Sequence, residues 1–181
     1  MSLEYALLGF LNYEPMSGYD LKKVFDDSVT HFWSANQSQI YRTLARLVEN
    51  SWAEMELVPQ EDRPNRKVYH LTAEGRAALH EWLHTPYTLP SQHISWLIQI
   101  FFAAALPHEE FIALLEDYRA KVQAQLANYQ EHVQDAVDVH SALPQRARDK
   151  LFWQLTLDYG MMMRETELRW AEHALARICE E

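Results

Sequence analysis

A mostly α-helical protein with one β-hairpin in its first half is the fold class that this sequence predicts. Its 181 residues include only 4 glycines and 7 prolines, which favours helices with short connections. Apolar residues recur every three or four positions through most of the chain, as in amphipathic helices. Two short runs, 53–58 and 67–71, have the alternation and the β-branched and aromatic residues that predict strands.

Two helices are predicted at the start of the chain. The first covers residues 3–11, with Ser2 as its N-cap, and ends before Pro15. The second begins at Ser17, which can form a capping box with Asp20 because each side chain can accept a hydrogen bond from the other's backbone N–H. The buried face of this second helix is predicted to be Leu21, Val24 and Phe25.

A third helix is predicted to follow Asn36, which can close a capping box with Gln39. Its apolar stripe, at positions i, i+4 and i+7, is Ile40, Leu44 and Leu47. The polar residues away from that stripe suit phosphate groups and base edges better than a core. These residues are Ser38, Gln39, Arg42, Thr43 and Arg46.

The two strands are joined by a polar loop with a basic tip that includes Arg63 and Arg66. The three helices can enclose a small apolar core, predicted to be Leu7, Leu8, Leu11, Leu21, Ile40, Leu44 and Leu47. The strands are expected to close its open side with Met55, Leu57, Tyr69 and Leu71. Three helices followed by such a hairpin predict a winged helix-turn-helix domain over residues 1–86.

The second half of the chain is predicted to be helical. A fourth helix, capped by Thr72, runs to about His84, and the prolines that follow place a domain boundary before residues 87–181. The second domain is predicted to hold three helical segments: an apolar one at 91–105, an amphipathic one of roughly eight turns from Glu109 to about His140, and a last one from about Arg146 to Arg177.

A homodimer is predicted from the same helices. Their apolar surface exceeds what one thin bundle buries, and a second copy would cover the remainder. A dimer would also place two recognition helices about one DNA turn apart, which suits a palindromic site. The alternative is a monomeric bundle.

The charge and the cysteine usage exclude several classes of protein. A net charge of −10 argues against a protein that coats nucleic acid nonspecifically. Between residues 34 and 71 there are five basic and five acidic residues, so this segment has no net charge. The only cysteine, Cys179, excludes an intrachain disulfide. The apolar residues 5–11 are too short to span a bilayer and lack the basic start of a signal peptide, so we expect a soluble cytoplasmic protein.

Several phrases of the first half resemble the PadR family of bacterial transcriptional regulators. They are LEYALLGFL at 3–11, SGYDLKK at 17–23, FWSANQSQIYRTLARL at 32–47 and RKVYHLTAEGR at 66–76. The length and helicity of the second half resemble the longer branch of that family. The resemblance implies a dimeric winged-helix repressor whose third helix enters the major groove while its wings touch the flanking backbone or minor groove.

The resemblance also implies roles for individual residues. Carried over by position, the groove-facing set is Ser38, Gln39, Tyr41 and Arg42, with Arg46 on phosphate. The wing set is Arg63, Arg66 and Lys67. Tyr19 matches the tyrosine of the family's Gly-Tyr pair and would pack or touch phosphate.

Two positions depart from the family's pattern. Arg42 stands where relatives often have proline, and it adds a possible base or phosphate contact. Residue 51 is usually glycine, so here Asn50-Ser51 must make the left-handed turn that ends the helix, a conformation that asparagine tolerates best.

The segment His80-Glu81-Trp82-Leu83-His84 matches the H-E-x-x-H pattern of zinc proteases. In that chemistry two imidazoles one turn apart bind zinc and the glutamate is the general base. Here the motif lies on the short helix after the hairpin, with Leu79, Trp82 and Leu83 expected to pack inward, so no catalytic residue, metal or cofactor is predicted. Adventitious or regulatory metal binding by His80 and His84, with His93 or His108, is the alternative.

Aromatic residues of the second half form a candidate effector site with one arginine. The set is Trp96, Trp153, Tyr159 and Arg164. Its rings would stack on a flat aromatic ligand, and the arginine would pair with a carboxylate. The family resemblance implies phenolic or drug-like ligands, whereas the alternative is that these rings and the methionines near them are simply core.

These features predict a sequence-specific DNA-binding regulator: a repressor that binds a palindromic operator as a dimer and is released by a small aromatic or phenolic effector. A winged-helix protein-interaction scaffold without DNA binding is the first alternative, which the neutral 34–71 segment and the overall acidity allow. A zinc metallopeptidase, using His80, Glu81 and His84, is the second.

Overall fold

The computed structural model describes residues 2–30, 32–60, 65–89, 93–130 and 147–180. The chain forms two compact units, residues 1–88 and 89–181. Among the described residues, no helix combines the length and apolarity needed to cross a membrane.

The first unit combines helices with a small antiparallel sheet. Its described helices are α1 (Ser2–Leu11), α2 (Gly18–Ser28), α3 (Gln37–Glu49) and α4 (Ala73–Leu83). Its strands are β1 (Met16–Ser17), β2 (Ala53–Val58) and β3 (Arg66–Leu71), in the order β1-β3-β2. The three helices and the hairpin follow the sequence prediction. The strand β1 was not predicted, because two residues show no alternation and their partner β3 is distant in sequence.

Both predicted capping boxes are present. The Ser17 hydroxyl accepts a hydrogen bond from the Asp20 N–H at 3.2 Å, and the Ser17 N–H donates to the Asp20 carboxylate. The Asn36 side chain accepts from the Gln39 N–H at 2.9 Å, and the Gln39 side-chain oxygen accepts from the Asn36 N–H at 2.8 Å. Each box satisfies backbone N–H groups that the first turn of a helix leaves unpaired.

The helix α3 ends in a left-handed turn at Ser51, whose φ is 60°. The Trp52 N–H donates to the Leu47 carbonyl at 2.8 Å and the Ser51 N–H to the Val48 carbonyl at 3.0 Å, the pattern of a Schellman cap. Of the two residues expected to make this turn, Ser51 takes the positive φ, whereas Asn50 stays at −81°.

The start of α4 packs on the end of α3. Its N-cap Thr72 accepts a hydrogen bond from the Gly75 N–H at 2.9 Å and donates to the Ser51 carbonyl at 2.7 Å. A Cβ atom at Gly75 would clash with the Trp52 carbonyl oxygen, so this close approach requires glycine. The joint holds the hairpin and α4 in place beside α3.

The core of the first unit lies between α1, α2, α3 and the sheet. All seven residues predicted for it are buried. The sheet closes it with Met16, Ala53 and Tyr69, and with Leu71 partly buried. The prediction for Met55 and Leu57 was wrong: they are 39% and 53% exposed, because burial in β2 is limited to its first residue beside α3. Thr43, predicted on the polar face of α3, is buried.

The second unit is helical throughout its described part. It contains α5 (Ser95–Phe101), a short 3-10 turn (Ala103–Ala105), α6 (His108–Asn128) and α7 (Ala147–Cys179). The helices α6 and α7 pack against each other and bury Leu115, Val122, Leu157 and Ala171. In the apolar segment predicted to be helical over 91–105, the α-helix ends at Phe101, because the backbone tightens to a 3-10 turn before Pro107. The predicted extension of α6 beyond residue 130 lies outside the described residues.

Candidate nucleic-acid interface

The face of α3 opposite its buried stripe carries the residues predicted to face the DNA groove. Ser38, Gln39, Tyr41 and Arg42 are all exposed there. Ser38 and Arg42 lie one helical turn apart, and their side chains have no hydrogen-bond or ionic partner in the described part of the chain. Their polar atoms are therefore free to meet a ligand.

Gln39 and Tyr41 each make a contact within the first unit, and only the contact of Gln39 was predicted from the sequence. The Gln39 side-chain oxygen is used in the helix cap, which leaves its NH₂ group for other contacts. The Tyr41 ring lies against Gly18, where a Cβ atom would come within 2.5 Å of the ring. The glycine of the Gly18-Tyr19 pair therefore lets α2 approach α3 closely, while Tyr19 is 67% exposed.

Arg46 has a partner inside the first unit. Its guanidinium forms an ion pair with the Glu4 carboxylate of α1, and the Glu4 side chain is only 10% exposed. A buried carboxylate without a cation is costly, so Arg46 stabilises the packing of α1 on α3. A phosphate contact by Arg46 would have to compete with Glu4. The sequence signal for this pair was a lone acidic residue inside an apolar helix.

Arg66 is paired as well. Its guanidinium donates to the Asp20 carboxylate, and the same oxygen accepts hydrogen bonds from the Ser17 N–H at 3.2 Å and the Ser17 hydroxyl at 2.7 Å. Partial burial acts to raise the pKa of Asp20, but the hydrogen bonds from Ser17 and Arg66 outweigh it and hold that pKa below its usual value. The first residue of β3 is thereby tied to the first turn of α2.

The wing offers one unpaired cation in its described part. Lys67 on β3 is exposed and forms no ion pair with any described residue. Arg63, the other residue predicted for the wing, lies outside the described residues. Among the described residues, Arg42 and Lys67 are therefore the predicted basic contact residues that form no ion pair.

The H-E-x-x-H segment lies on the last turns of α4. His80, Glu81 and His84 are exposed, and no group of three or more His, Cys, Asp or Glu residues that could hold a metal occurs in the described part of the chain. Trp82 stacks on Tyr5 with a centroid distance of 4.7 Å. Leu79 is buried as predicted, but Leu83 is 61% exposed, which corrects the prediction that it packs inward.

Three aromatic rings meet in the second unit. Trp96 lies 4.7 Å from Tyr118 and 4.9 Å from Trp170, measured between ring centroids. Trp96 and Tyr118 also line a groove of about 460 Å³ together with Ile100, Leu106, Phe111, Leu114 and other residues of α5 and α6. Tyr118 and Trp170 were not predicted for this site, because helical periodicity does not show which turns of two helices face each other.

Tyr118 connects this cluster to Arg164. Burial and then the Glu167 carboxylate raise the pKa of the Tyr118 hydroxyl, against the opposing effect of Arg164. Arg164 pairs with Glu167 one turn along α7, and its Nε atom is buried without a hydrogen-bond partner among the described residues. A buried N–H donor with no acceptor is unfavourable.

The predicted effector set is therefore only partly assembled. Trp96 and Arg164 are linked through Tyr118. Trp153 is half-buried and Tyr159 is 65% exposed, and neither of them lines the groove that contains Trp96. Arg164 does not line that groove either. Trp153 lies eleven residues before Arg164 on α7, a rise of about 16 Å along the helix axis.

Two protein-family models match this chain. The model described as the transcriptional regulator PadR-like family matches residues 7–81, within the first unit. The model described as virulence activator alpha C-term matches residues 95–178, within the second unit. Together the two matches cover most of the chain.

Full-length relatives show the same similarity. The negative transcriptional regulator PadR of Bacillus subtilis (strain 168) is 30% identical over 178 residues, which cover 97% of each chain. A crystal structure of Bacillus subtilis PadR in complex with operator DNA has a TM-score of 0.83 at 27% identity and covers 98% of this chain and 99% of that chain. A crystal structure of that protein with p-coumaric acid has a TM-score of 0.77 at 26% identity and covers 99% and 96%.

These similarities confirm the predicted winged-helix fold class and the family resemblance. They are similarities to transcriptional regulators, a class of proteins without enzymatic activity, which agrees with the interpretation of the H-E-x-x-H segment as non-catalytic.

Proposed function

Because this chain belongs to the transcriptional regulator PadR-like family, we propose that it binds double-stranded operator DNA with α3 in the major groove. The observation that carries the proposal is the exposed face of α3, where Ser38 and Arg42 have no partner within the described protein. Arginine pairs with guanine through two hydrogen bonds, and serine can contact several bases. In this proposal residues 1–86 are the DNA-binding domain and residues 87–181 the dimerisation and effector domain.

Among the described wing residues, the phosphate contact is assigned to Lys67, the cation without an ion pair. Arg63, which lies outside the described residues, is assigned a backbone contact by its place in the sequence between the two strands. The exposed Tyr19 at the start of α2 would lie against a phosphate. Arg46 and Arg66 contribute chiefly by holding α3 and the wing in position, since each is paired with a carboxylate. Because the chain as a whole has a net charge of −10, which opposes nonspecific attraction to DNA, binding depends on this local patch.

Fluorescence anisotropy with DNA from upstream of the protein's own gene tests the interface. Arg42→Ala should weaken specific binding roughly 10- to 100-fold and relax sequence preference, as expected for the loss of one good base contact. Lys67→Ala should weaken binding to all sequences and reduce the salt slope by about 1. Arg169→Ala, which removes an exposed cation on α7 in the second unit, is the matched control and should change neither quantity.

Two results would contradict this assignment of DNA binding to α3. If the wild-type protein shows no specific binding even at low salt, the protein-interaction scaffold is the better description. If it binds specifically and Arg42→Ala has no effect, DNA binding stands but α3 is not the reading element.

The regulator is further proposed to act as a homodimeric repressor on a palindromic operator. Support for the dimer comes from α5, on which no described residue is buried although Leu97, Ile98 and Phe101 are large and apolar. A dimer matches a palindrome because each half-site meets one copy of α3. Transcript levels in a strain without the gene decide the direction of control: an increase at the target supports repression, and a decrease indicates activation.

An aromatic carboxylate is the proposed effector class. The groove beside Trp96 offers ring faces for stacking. Arg164 does not line this groove, but it influences the pKa of Tyr118, which does, so a carboxylate bound next to Tyr118 would approach its guanidinium. The structure with p-coumaric acid concerns a relative, and this chain has the aromatic and cationic groups such a ligand requires. Trp153 and Tyr159 would take part only if a second copy of the chain brought them to the groove.

Tryptophan fluorescence with p-coumaric acid tests the effector site, and the uncharged methyl ester is the ligand control. The acid should quench fluorescence and weaken DNA binding, whereas the ester should bind less well. Arg164→Gln should abolish that preference for the acid, and Arg169→Gln, also on α7, should preserve it. Unchanged fluorescence across a panel of phenolic acids would remove support for this effector class.

A further inference from the structure

The two histidines of the H-E-x-x-H segment lie side by side at the end of α4. His80 is in the last turn of the helix and His84 is its C-cap, and both rings are exposed. Their ring centroids are 4.5 Å apart. A metal–nitrogen bond of about 2.1 Å places a ring centroid about 3.2 Å from the ion. Two imidazoles that bind one ion with an N–metal–N angle of about 90° therefore have centroids about 4.5 Å apart.

A hydrogen bond orients one of the two rings for metal binding. The Nδ1 atom of His84 lies 2.8 Å from the His80 carbonyl oxygen, which can only accept, so Nδ1 carries the proton and donates. In the neutral ring the Nε2 lone pair is then available. Metal-ligating histidines in proteins commonly have this second hydrogen bond, which fixes the tautomer and the ring direction.

The position on the helix also favours a cation. The last carbonyl groups of a helix carry a partial negative charge, which stabilises positive charge near the C-terminus. No Lys or Arg occupies the last turn of α4, so that charge is not already compensated there by a permanent cation. Two imidazoles with no third protein ligand among the described residues leave the other coordination positions to water.

We propose that His80 and His84 form a surface site for a borderline divalent transition-metal ion, one ion per chain, bound through imidazole nitrogens. Nitrogen ligands and open positions suit Cu²⁺, Ni²⁺ and Zn²⁺ rather than Mg²⁺ or Ca²⁺, which prefer oxygen. The affinity should be highest for Cu²⁺ among the three. The bound ion would cross-link the last turn of α4. The metal site is independent of the proposed DNA binding and implies no catalytic activity.

Isothermal titration of untagged, full-length protein with NiCl₂ tests this site. We expect one ion per chain, with the affinity reduced at least about tenfold in His80→Ala and in His84→Ala, as for the loss of one of two ligands. His70→Ala, which removes an exposed histidine that pairs with Glu56 on the hairpin, is the matched control and should bind like the wild type. In the Cu²⁺ form, electron paramagnetic resonance should show coupling to nitrogen that is lost in the double variant.

A second variant separates metal ligation from helix capping. His84→Asn keeps an N–H donor that can reach the His80 carbonyl but removes the Nε2 ligand. It should fold like the wild type and lose metal binding. Absence of binding to all three ions by the wild type overturns the proposal, as does full binding by His84→Asn or by the double alanine variant.

Discussion

Ser51 holds a backbone conformation that suits glycine better than serine. Its φ of 60° lies in the left-handed region, where an L side chain is strained. Ser51→Gly should therefore raise the free energy of unfolding by about 0.5–1 kcal/mol, the strain relieved less the entropy that glycine loses on folding. Urea unfolding followed by circular dichroism measures this change. Ser34→Gly, at a position without a positive φ, should give no such gain, and a lower midpoint for Ser51→Gly would contradict the argument.

Asp20 makes the free energy of unfolding of the first unit depend on pH. Its folded-state pKa lies below the unfolded value near 4, so its stabilising contribution is fully present above that value and is lost as the pH falls through the lower, folded pKa. Asp20→Asn should be less stable at pH 6 and should flatten the decline of stability below pH 4. Thermal unfolding between pH 3 and 7 tests this. Asp27→Asn, an exposed change in the same helix, should leave the pH profile unchanged.

The helix α3 carries two arginines with different roles. Arg46→Ala leaves the Glu4 carboxylate buried without its partner and should lower the free energy of unfolding by about 1–2 kcal/mol. Arg42→Ala removes an exposed, unpaired side chain and should change stability by less than about 0.5 kcal/mol while weakening DNA binding. Urea unfolding beside DNA titration separates the two effects.

The pairing of Arg46 has its own check. Adding Glu4→Gln to Arg46→Ala should recover part of the lost stability, because a neutral amide is easier to bury than a carboxylate. If Arg46→Ala is as stable as the wild type but no longer binds DNA, the original expectation of a phosphate contact is the better one.

At the scale of one element, the hairpin shows what the alternation of apolar and polar residues can predict and what it cannot. Alternation located both strands and named Tyr69 as an inward residue, and Tyr69 is buried. Alternation does not show where along a hairpin the helices stop covering it, so it placed Met55 and Leu57 in the core when only Ala53 is buried in β2. Met55 and Leu57 therefore belong to the surface of the hairpin and not to the core.

The whole molecule is predicted to be a dimer because no residue of α5 is buried in the part of the chain that the structure describes. Ile98 and Phe101 are 61% and 81% exposed, an unfavourable arrangement unless a partner buries them. Sedimentation velocity should show a dimer for the wild type and a shift towards monomer for Ile98→Glu. Gln99→Glu, which adds the same charge at an exposed polar neighbour, should stay dimeric. A monomeric wild type at micromolar concentration would contradict the expectation.

The sequence by itself determined the local features of this protein. The caps formed by Ser17, Asn36 and Thr72 involve residues three positions apart, and the buried stripe of α3 follows from helical spacing, so both could be read from short windows. The family resemblance rests on the same short windows, and it led to the residues that we propose face the DNA groove.

Only the tertiary structure decided which charges are free. Arg46 and Glu4, and Arg66 and Asp20, are separated by more than forty residues, and no local pattern shows that they pair. The same holds for Trp96, Tyr118 and Trp170, which lie on three helices. Ion pairs and ring contacts between elements depend on how helices and strands pack, and packing is set by the whole core and not by any single stretch of chain.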